Sequence, residues 1–237
     1  MNALIFAAGK GERMRPLTER TPKPLLRAGG KPLIVWHIEK LAALGVRDIV
    51  INTSWLGEQF EPALGDGSRW NLRLHYSYEG REPLETGGGM LNAFDILGAS
   101  PFMAVNGDIW TDFDFANLPR EPAELAHLVL VDNPPQHPRG DFSLDDAGRL
   151  HSDREPRLTF SGIGVYRAAL LDDWRTVIGD APGADQLPPR FKIAPLLFAA
   201  MDRGLIHGEH HRGRWTDVGT PERLATLDDS LQLQEPL

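Results

Sequence analysis

The chain has 237 residues, with 25 Lys and Arg against 33 Asp and Glu, for a formal net charge of −8. Such a length suits one large α/β core spanning residues 1–237, and the acidic balance disfavours nucleic acid and anionic lipid as partners. Cysteine is absent, which excludes disulfides, thiolate metal sites and a thiol nucleophile.

The first element is an apolar strand, Leu4-Ile5-Phe6-Ala7-Ala8, which stops at Gly9. A run with no polar alternation reads as a strand covered on both faces. Charge follows this run rather than preceding it, the reverse of a signal peptide. No stretch approaches the roughly 18 apolar residues of a membrane span. A soluble, cytoplasmic protein is expected. Pro32 to Gly45 reads as a helix, with Leu33, Trp36, Leu41 and Leu44 at helical spacing and Gly45 as its stop. Asp48–Thr53 and Leu72–Tyr78 read as strands, and Thr86 is placed to cap a helix over Gly87–Leu97. Phe102–Val105 is a fourth strand, ending at Asn106-Gly107-Asp108.

This alternation of strand and helix predicts βαβ units and a mainly parallel sheet. The middle of the chain differs. Ala126–Val131 is a strand with no helix after it, and Phe142–Leu144 and Arg149–His151 form a hairpin about Asp145-Asp146-Ala147-Gly148. Phe160–Tyr166 is a further strand, Ile193–Asp202 a helix, and Pro221–Leu233 the last helix, capped by Thr220. Asn133–Gly140 and Gly179–Pro189 read as loops. No repeat is present, and no hexapeptide pattern for a C-terminal β-helix. The fold class expected is a Rossmann-like α/β domain with helices flanking a mixed, mainly parallel sheet.

Chemistry concentrates after the first strand, in Ala7-Ala8-Gly9-Lys10-Gly11-Glu12-Arg13-Met14. Ligands of parallel sheets sit beyond the carboxyl ends of the strands, where glycines let amides approach phosphate. The dinucleotide fingerprint fails, because Met14 stands at its third glycine, and no Gly-Lys-Ser/Thr phosphate loop occurs. Further on, Pro22 and Pro24 stiffen the backbone on either side of Lys23. The run Ala-Ala-Gly-x-Gly-x-Arg-Met-x-Pro-Leu-Thr, followed by Pro-Lys-Pro-Leu, resembles the sugar nucleotidyltransferases, which join a sugar 1-phosphate to a nucleoside triphosphate. By that resemblance Ala8, Gly9 and Gly11 wrap the nucleotide, and Arg13 and Lys23 hold its triphosphate.

Two aspartates stand far apart in sequence. Asp108 ends the fourth strand, and Asp217 lies in Trp215-Thr216-Asp217-Val218-Gly219-Thr220 ahead of the last helix. Taken alone, each suits turn chemistry. The resemblance implies that they hold Mg²⁺, which takes one or two carboxylates with phosphate oxygens and water. It also implies base and ribose recognition around Glu79, Leu84, Thr86, Gly87 and Gly88. The segment Leu84-Glu85-Thr86 with three following glycines resembles the branch that uses UTP. For the sugar phosphate it implies Asn106, Gly162 and Glu155. A lysine is missing after Glu155, where Pro156 follows directly, and Lys192 is the candidate replacement. N-acetylmuramate 1-phosphate is the expected sugar, with Arg139, Arg154 or Arg157 as candidate partners for its carboxylate. Mannose 1-phosphate with GTP is the alternative, and a non-catalytic regulatory homologue is a further one. A monomer or small homo-oligomer is expected. His207, His210 and His211 alternate along one strand-like stretch and make no metal site. Trp70, Trp110, Trp174 and Trp215 read as core or rim.

Overall fold

The computed structural model describes residues 1–233. Its centre is a seven-stranded sheet built from β1 (Asn2–Phe6), β2 (Asp48–Thr53), β3 (Arg73–Tyr78), β4 (Phe102–Asn106), β6 (Ala126–Val131), β9 (Thr159–Tyr166) and β10 (Ile206–His211). The spatial order is β10-β6-β9-β4-β1-β2-β3. Six strands run one way, and β9 alone runs against its neighbours β4 and β6. The carboxyl ends of β1 and β4 therefore share an edge with the start of β9.

The alternation of side chains decides which layer each residue joins. Leu4 points into a core with Val50, Met90, Phe102, Leu128 and Leu197, whereas Ala3 and Ile5 point into the opposite core with Ile34, Ile38, Ile51 and Val105. The wholly apolar first strand needs both layers. Helix α1 (Leu33–Ala43) covers the second face, presenting Ile34, Val35, Ile38 and Leu41. It ends where Gly45 turns at φ 76°. Helix α3 (Ala194–Asp202) covers the first face through Leu196, Leu197, Ala200 and Met201.

A ribbon of β5 (Ile109–Thr111) and β11 (Trp215–Asp217) stands beside the sheet edge. Helix α4 (Pro221–Gln232) closes over it, and Leu227 and Leu231 pack with Met14, Leu33, Trp110 and Val218 in a third cluster. A fully buried apolar side chain contributes roughly 1.5–3 kcal/mol, while an exposed ion pair contributes about 0–1 kcal/mol. Burial therefore docks α4. The hairpin pairs β7 (Ser143–Leu144) with β8 (Leu150–His151), as its turn residues predict.

Three expected boundaries shift. The ladder of β1 closes at Phe6, because the Ala7 amide turns to the Asn52 side chain. The helix expected over Gly87–Leu97 begins at Glu85 and breaks after Asn92, with Phe94–Leu97 as a separate short turn. Thr86 does not cap it; Leu84 occupies that position, and the Thr86 hydroxyl instead accepts from the Ile193 amide at 3.0 Å. The last helix keeps its predicted cap, with Thr220 Oγ1 accepting from the Arg223 amide. Of the tryptophans, Trp110 and Trp174 are buried.

Candidate active site

A cavity of about 620 Å³ opens at the shared strand edge. Ala8, Gly9, Gly11, Arg13, Lys23, Glu79, Thr86, Asn106 and Asp108 line it, together with Lys10, Asn52, Glu85 and Gly219. The sequence-derived candidates from the glycine loop and the fourth strand thus converge on one space.

The loop takes its shape from Gly11, whose φ of 63° is left-handed. A Cβ there would also stand 2.8 Å from Thr18 Cγ2. Thr18 is buried and its hydroxyl donates to the Gly11 carbonyl at 2.8 Å, so the Pro-Leu-Thr segment braces the loop from below. Arg13 is exposed and lines the cavity. Lys23 sits in a turn between its two prolines, with its side chain 9% exposed, and donates to Asp108 Oδ2 at 2.5 Å. Lys10 pairs with Glu82 across the cavity mouth at 2.8 Å.

Asp108 and Asp217 meet through the ribbon. Ile109 pairs with Asp217, and the Val218 amide donates to the Asp108 carbonyl at 2.9 Å. Asp217 is not itself a wall of the cavity, but Gly219, two residues on, is. Helix α1 fixes the other side of β5. His37 Nε2 donates to the Ile109 carbonyl at 2.9 Å, and Lys40 Nζ donates to the carbonyls of Thr111 and Phe113 at 2.8 and 2.7 Å. Burial drives the His37 pKa down to about 4 and lowers that of Lys40. Burial thereby holds His37 neutral, although its hydrogen bond to the Ile109 carbonyl pulls the other way. Sequence reading passed over this pair; the available signal was two polar residues at i and i+3 on an otherwise apolar helix face.

Two more positions were missed. Asn52, buried at the end of β2, accepts from the Ala7 amide at 2.6 Å and donates to Glu79 Oε1 at 2.7 Å. Glu79 Oε2 accepts from the Leu84 amide at 2.8 Å. Burial raises the Glu79 pKa, and these two hydrogen bonds pull against it. Glu85 has a left-handed φ of 62° and pairs with Arg190 at 3.2 Å. A non-glycine residue held there stores strain of about 1–3 kcal/mol.

The remaining candidates sit differently. The Gly87 and Gly88 amides both donate to the Phe191 carbonyl, at 2.9 and 3.0 Å, and Leu84 is buried. The backbone N–H groups of Leu84, Gly87 and Gly88 are thus satisfied within the protein. Gly162 lies at a bulge in β9, where Asn106 fills the space beside it. Lys192 is exposed between Phe191, which stacks on Trp174, and Ile193, which is tied to Thr86. Glu155 is exposed and pairs with Arg157 at 3.2 Å. Neither Lys192 nor Glu155 lines the cavity. Arg154 borders a separate hollow with Asp145, Arg149 and His151. His210 and His211 pair with Asp132 and Asp112, and among the described residues no three His, Asp or Glu side chains cluster as metal ligands. No helix among them is long and apolar enough to cross a membrane.

A glycine loop beyond a parallel strand, cations over a cavity and two carboxylates joined by a ribbon define a phosphate-handling α/β site. A family profile described as nucleotidyl transferase matches residues 2–149, and the chain belongs to this family. It is 47% identical over 231 residues, covering 94% of this chain and 95% of the relative, to an N-acetylmuramate alpha-1-phosphate uridylyltransferase of Neisseria meningitidis serogroup B. It is 31% identical to a mannose-1-phosphate guanylyltransferase of Mycobacterium tuberculosis, covering 94% of this chain and 62% of that protein. The solved structure of HddC from Yersinia pseudotuberculosis complexed with GMP-PN shares the fold, with a TM-score of 0.72 at 21% identity over 97% of this chain and 98% of that one.

Proposed function

We propose that the chain transfers the uridylyl group of UTP to N-acetylmuramate 1-phosphate, giving the UDP-sugar and pyrophosphate, in cytoplasmic recycling of cell-wall sugar. The observation that carries this reading is the 47% identity to the neisserial uridylyltransferase over nearly the full length of both chains. We read residues 1–237 as one domain, acting as a monomer or small homo-oligomer.

A phosphate oxygen of the sugar 1-phosphate attacks the α-phosphorus of UTP in line. The new O–P bond forms as the bond to the β-phosphate oxygen breaks, and pyrophosphate leaves with the electron pair. The attacking oxygen is already ionised, so the site needs positioning and charge balance rather than a general base. Amides of Ala8, Gly9 and Gly11 cradle the phosphates. Arg13 and Lys23 take charge on the leaving pyrophosphate, and Lys23 exchanges its contact with Asp108 for that charge. Glu79, Leu84, Thr86, Gly87 and Gly88 form the base side, with Glu79 and Thr86 on the cavity wall and Leu84, Gly87 and Gly88 packed behind it. Asn106, Gly162, Glu155 and Lys192 form the sugar-phosphate side, which requires the Glu155 and Lys192 segments to close inward.

Asp108 and Asp217 suit Mg²⁺. Two carboxylates at neighbouring backbone positions of the ribbon suit an ion that completes its shell with phosphate oxygens and water. Bound there, Mg²⁺ supplies neutralisation of phosphoryl charge. A second reading, mannose 1-phosphate with GTP, has the 31% identical mycobacterial relative in its favour.

The test is pyrophosphate release with Mg²⁺ for four nucleoside triphosphates against the 1-phosphates of N-acetylmuramate, N-acetylglucosamine, glucose and mannose. One dominant signal at UTP with N-acetylmuramate 1-phosphate is expected. A dominant signal at GTP with mannose 1-phosphate would replace the reading with its alternative. Nucleotide binding without turnover on any pair would favour a non-catalytic homologue.

A further inference from the structure

Asp217 is held from two sides. Its Oδ1 accepts from Arg223 Nη1 on α4 and from Gln136 Nε2 at 2.6 Å. Its Oδ2 takes no hydrogen bond among the described residues and lies close beside Gly219, which lines the cavity although Asp217 does not. Arg223 reaches Asp217 because residue 219 has no side chain; a Cβ there would overlap the guanidinium. The Arg223 backbone is fixed in turn by the Thr220 cap.

Gln136 arrives from the opposite direction, on the loop that follows β6. That loop is pinned to the start of β9. Asn133 Nδ2 donates to the Arg157 carbonyl at 2.9 Å, and Asn133 Oδ1 accepts from Thr159 Oγ1 at 2.8 Å. Within the loop the His137 amide closes a turn on the Pro134 carbonyl at 2.8 Å. The same stretch of β9 carries Gly162 beside Asn106. One carboxylate oxygen is thus saturated by two donors anchored in different parts of the fold, while the other, beside Gly219, accepts no hydrogen bond among the described residues. Donors that occupy one oxygen of a metal-binding carboxylate fix its rotation, and loss of such partners typically costs 10–100-fold in metal affinity.

We propose that Gln136 and Arg223 are positioning residues which lock Asp217 with Oδ2 presented to the cavity, and that Gln136 makes this geometry depend on the 132–141 loop. The proposal rests on the reading of Asp217 as a metal ligand. The Arg223 contact is local in sequence, the Gln136 contact spans 81 positions, and neither residue lines the cavity.

The experiment measures Mn²⁺ binding directly, from the electron paramagnetic resonance signal of the free ion, with a non-hydrolysable UTP analogue present. Half-saturating Mg²⁺ for pyrophosphate release is measured in parallel. Gln136→Ala is expected to weaken Mn²⁺ binding by about 10–100-fold, and high Mg²⁺ is expected to recover turnover. Gln136→Glu, which sets a second anion against Asp217, is expected to be worse than Gln136→Ala. Arg223→Lys is expected to keep part of the affinity that Arg223→Ala loses. Gln136 is exposed, so its variants keep the wild-type unfolding temperature, and loss of fold is not an explanation for their effect. Wild-type Mn²⁺ affinity in both Gln136 variants, alongside a loss in Asp217→Asn, would overturn the positioning role alone. Wild-type affinity in Asp217→Asn would remove the metal-ligand reading and this proposal with it.

Discussion

The Asn52 carboxamide donates to Glu79 Oε1 at 2.7 Å while its own oxygen accepts from the Ala7 amide, so one buried side chain joins the start of the glycine loop to Glu79 across the cavity wall. Each group in this chain is buried and each has a partner, which makes removal of the middle member costly. Asn52→Ala strands the Ala7 amide and one Glu79 oxygen. The expected loss is about 2–4 kcal/mol of stability, read by urea unfolding, together with a rise in KM for UTP. An unchanged KM would separate the brace from nucleotide binding.

Asp108 lies at the junction of the cation-lined loop and the ribbon. Asp108→Ala removes one of the two carboxylates proposed to hold Mg²⁺ and leaves the Lys23 ammonium without its 2.5 Å partner. Turnover is expected to fall by about 10²–10³-fold, the range seen when an electrostatic stabiliser of the transition state is lost. Stopped pyrophosphate release is the measurement, and wild-type turnover would take Asp108 out of the mechanism.

Glu85 tests stored strain. Its left-handed φ costs about 1–3 kcal/mol, whereas its half-buried, solvent-reached pair with Arg190 returns about 1 kcal/mol. Glu85→Gly is therefore expected to raise the unfolding temperature. If the strain serves the cavity it lines, the same variant lowers kcat/KM for UTP. A more stable enzyme with unchanged kcat/KM would make Glu85 a structural accident.

His37 predicts the acid limb of stability. Its ordinary value of 6.5 falls to about 4 in the fold because burial penalises the charged ring. Between these values the unfolded chain binds the proton and the folded chain does not, so stability drops as pH falls through that window. A depression of this size corresponds to a few kcal/mol, on the order of 3 at most. In His37→Leu this component disappears. The stability advantage of the native chain over the variant should shrink between pH 6.5 and 4, as followed by urea midpoints.

The sheet was legible because its strands are short β-branched or apolar runs bounded by turn residues, as in Asp48–Thr53, whose bounds match those observed. The glycine loop and Lys23 were legible because proline and glycine restrict the backbone in ways the sequence displays directly. Thr86 was misplaced for a physical reason. A threonine before a glycine run is a good cap, but here tertiary contact with Ile193 competes for the hydroxyl and Glu85 starts the helix in a strained conformation. Asn52 and Lys40 were hidden because their partners are main-chain and side-chain groups brought near by folding, which no local pattern encodes. The pairing of Asp108 with Asp217 was available only through resemblance, since 109 positions separate them and a ribbon joins them.

That ribbon gives the molecule an order of completion. The loop, its braces and Asp108 lie in the first half of the chain, while β11 and α4 come from the last twenty residues described. A chain emerging from the ribosome has made its glycine loop and Asp108 long before Asp217 exists. It gains a full pair of carboxylates only when its final helix docks on Met14, Leu33 and Trp110. The core beneath the glycine loop is thus sealed last, because Met14 packs in one cluster with Leu227 and Leu231, and clipping α4 would uncover it.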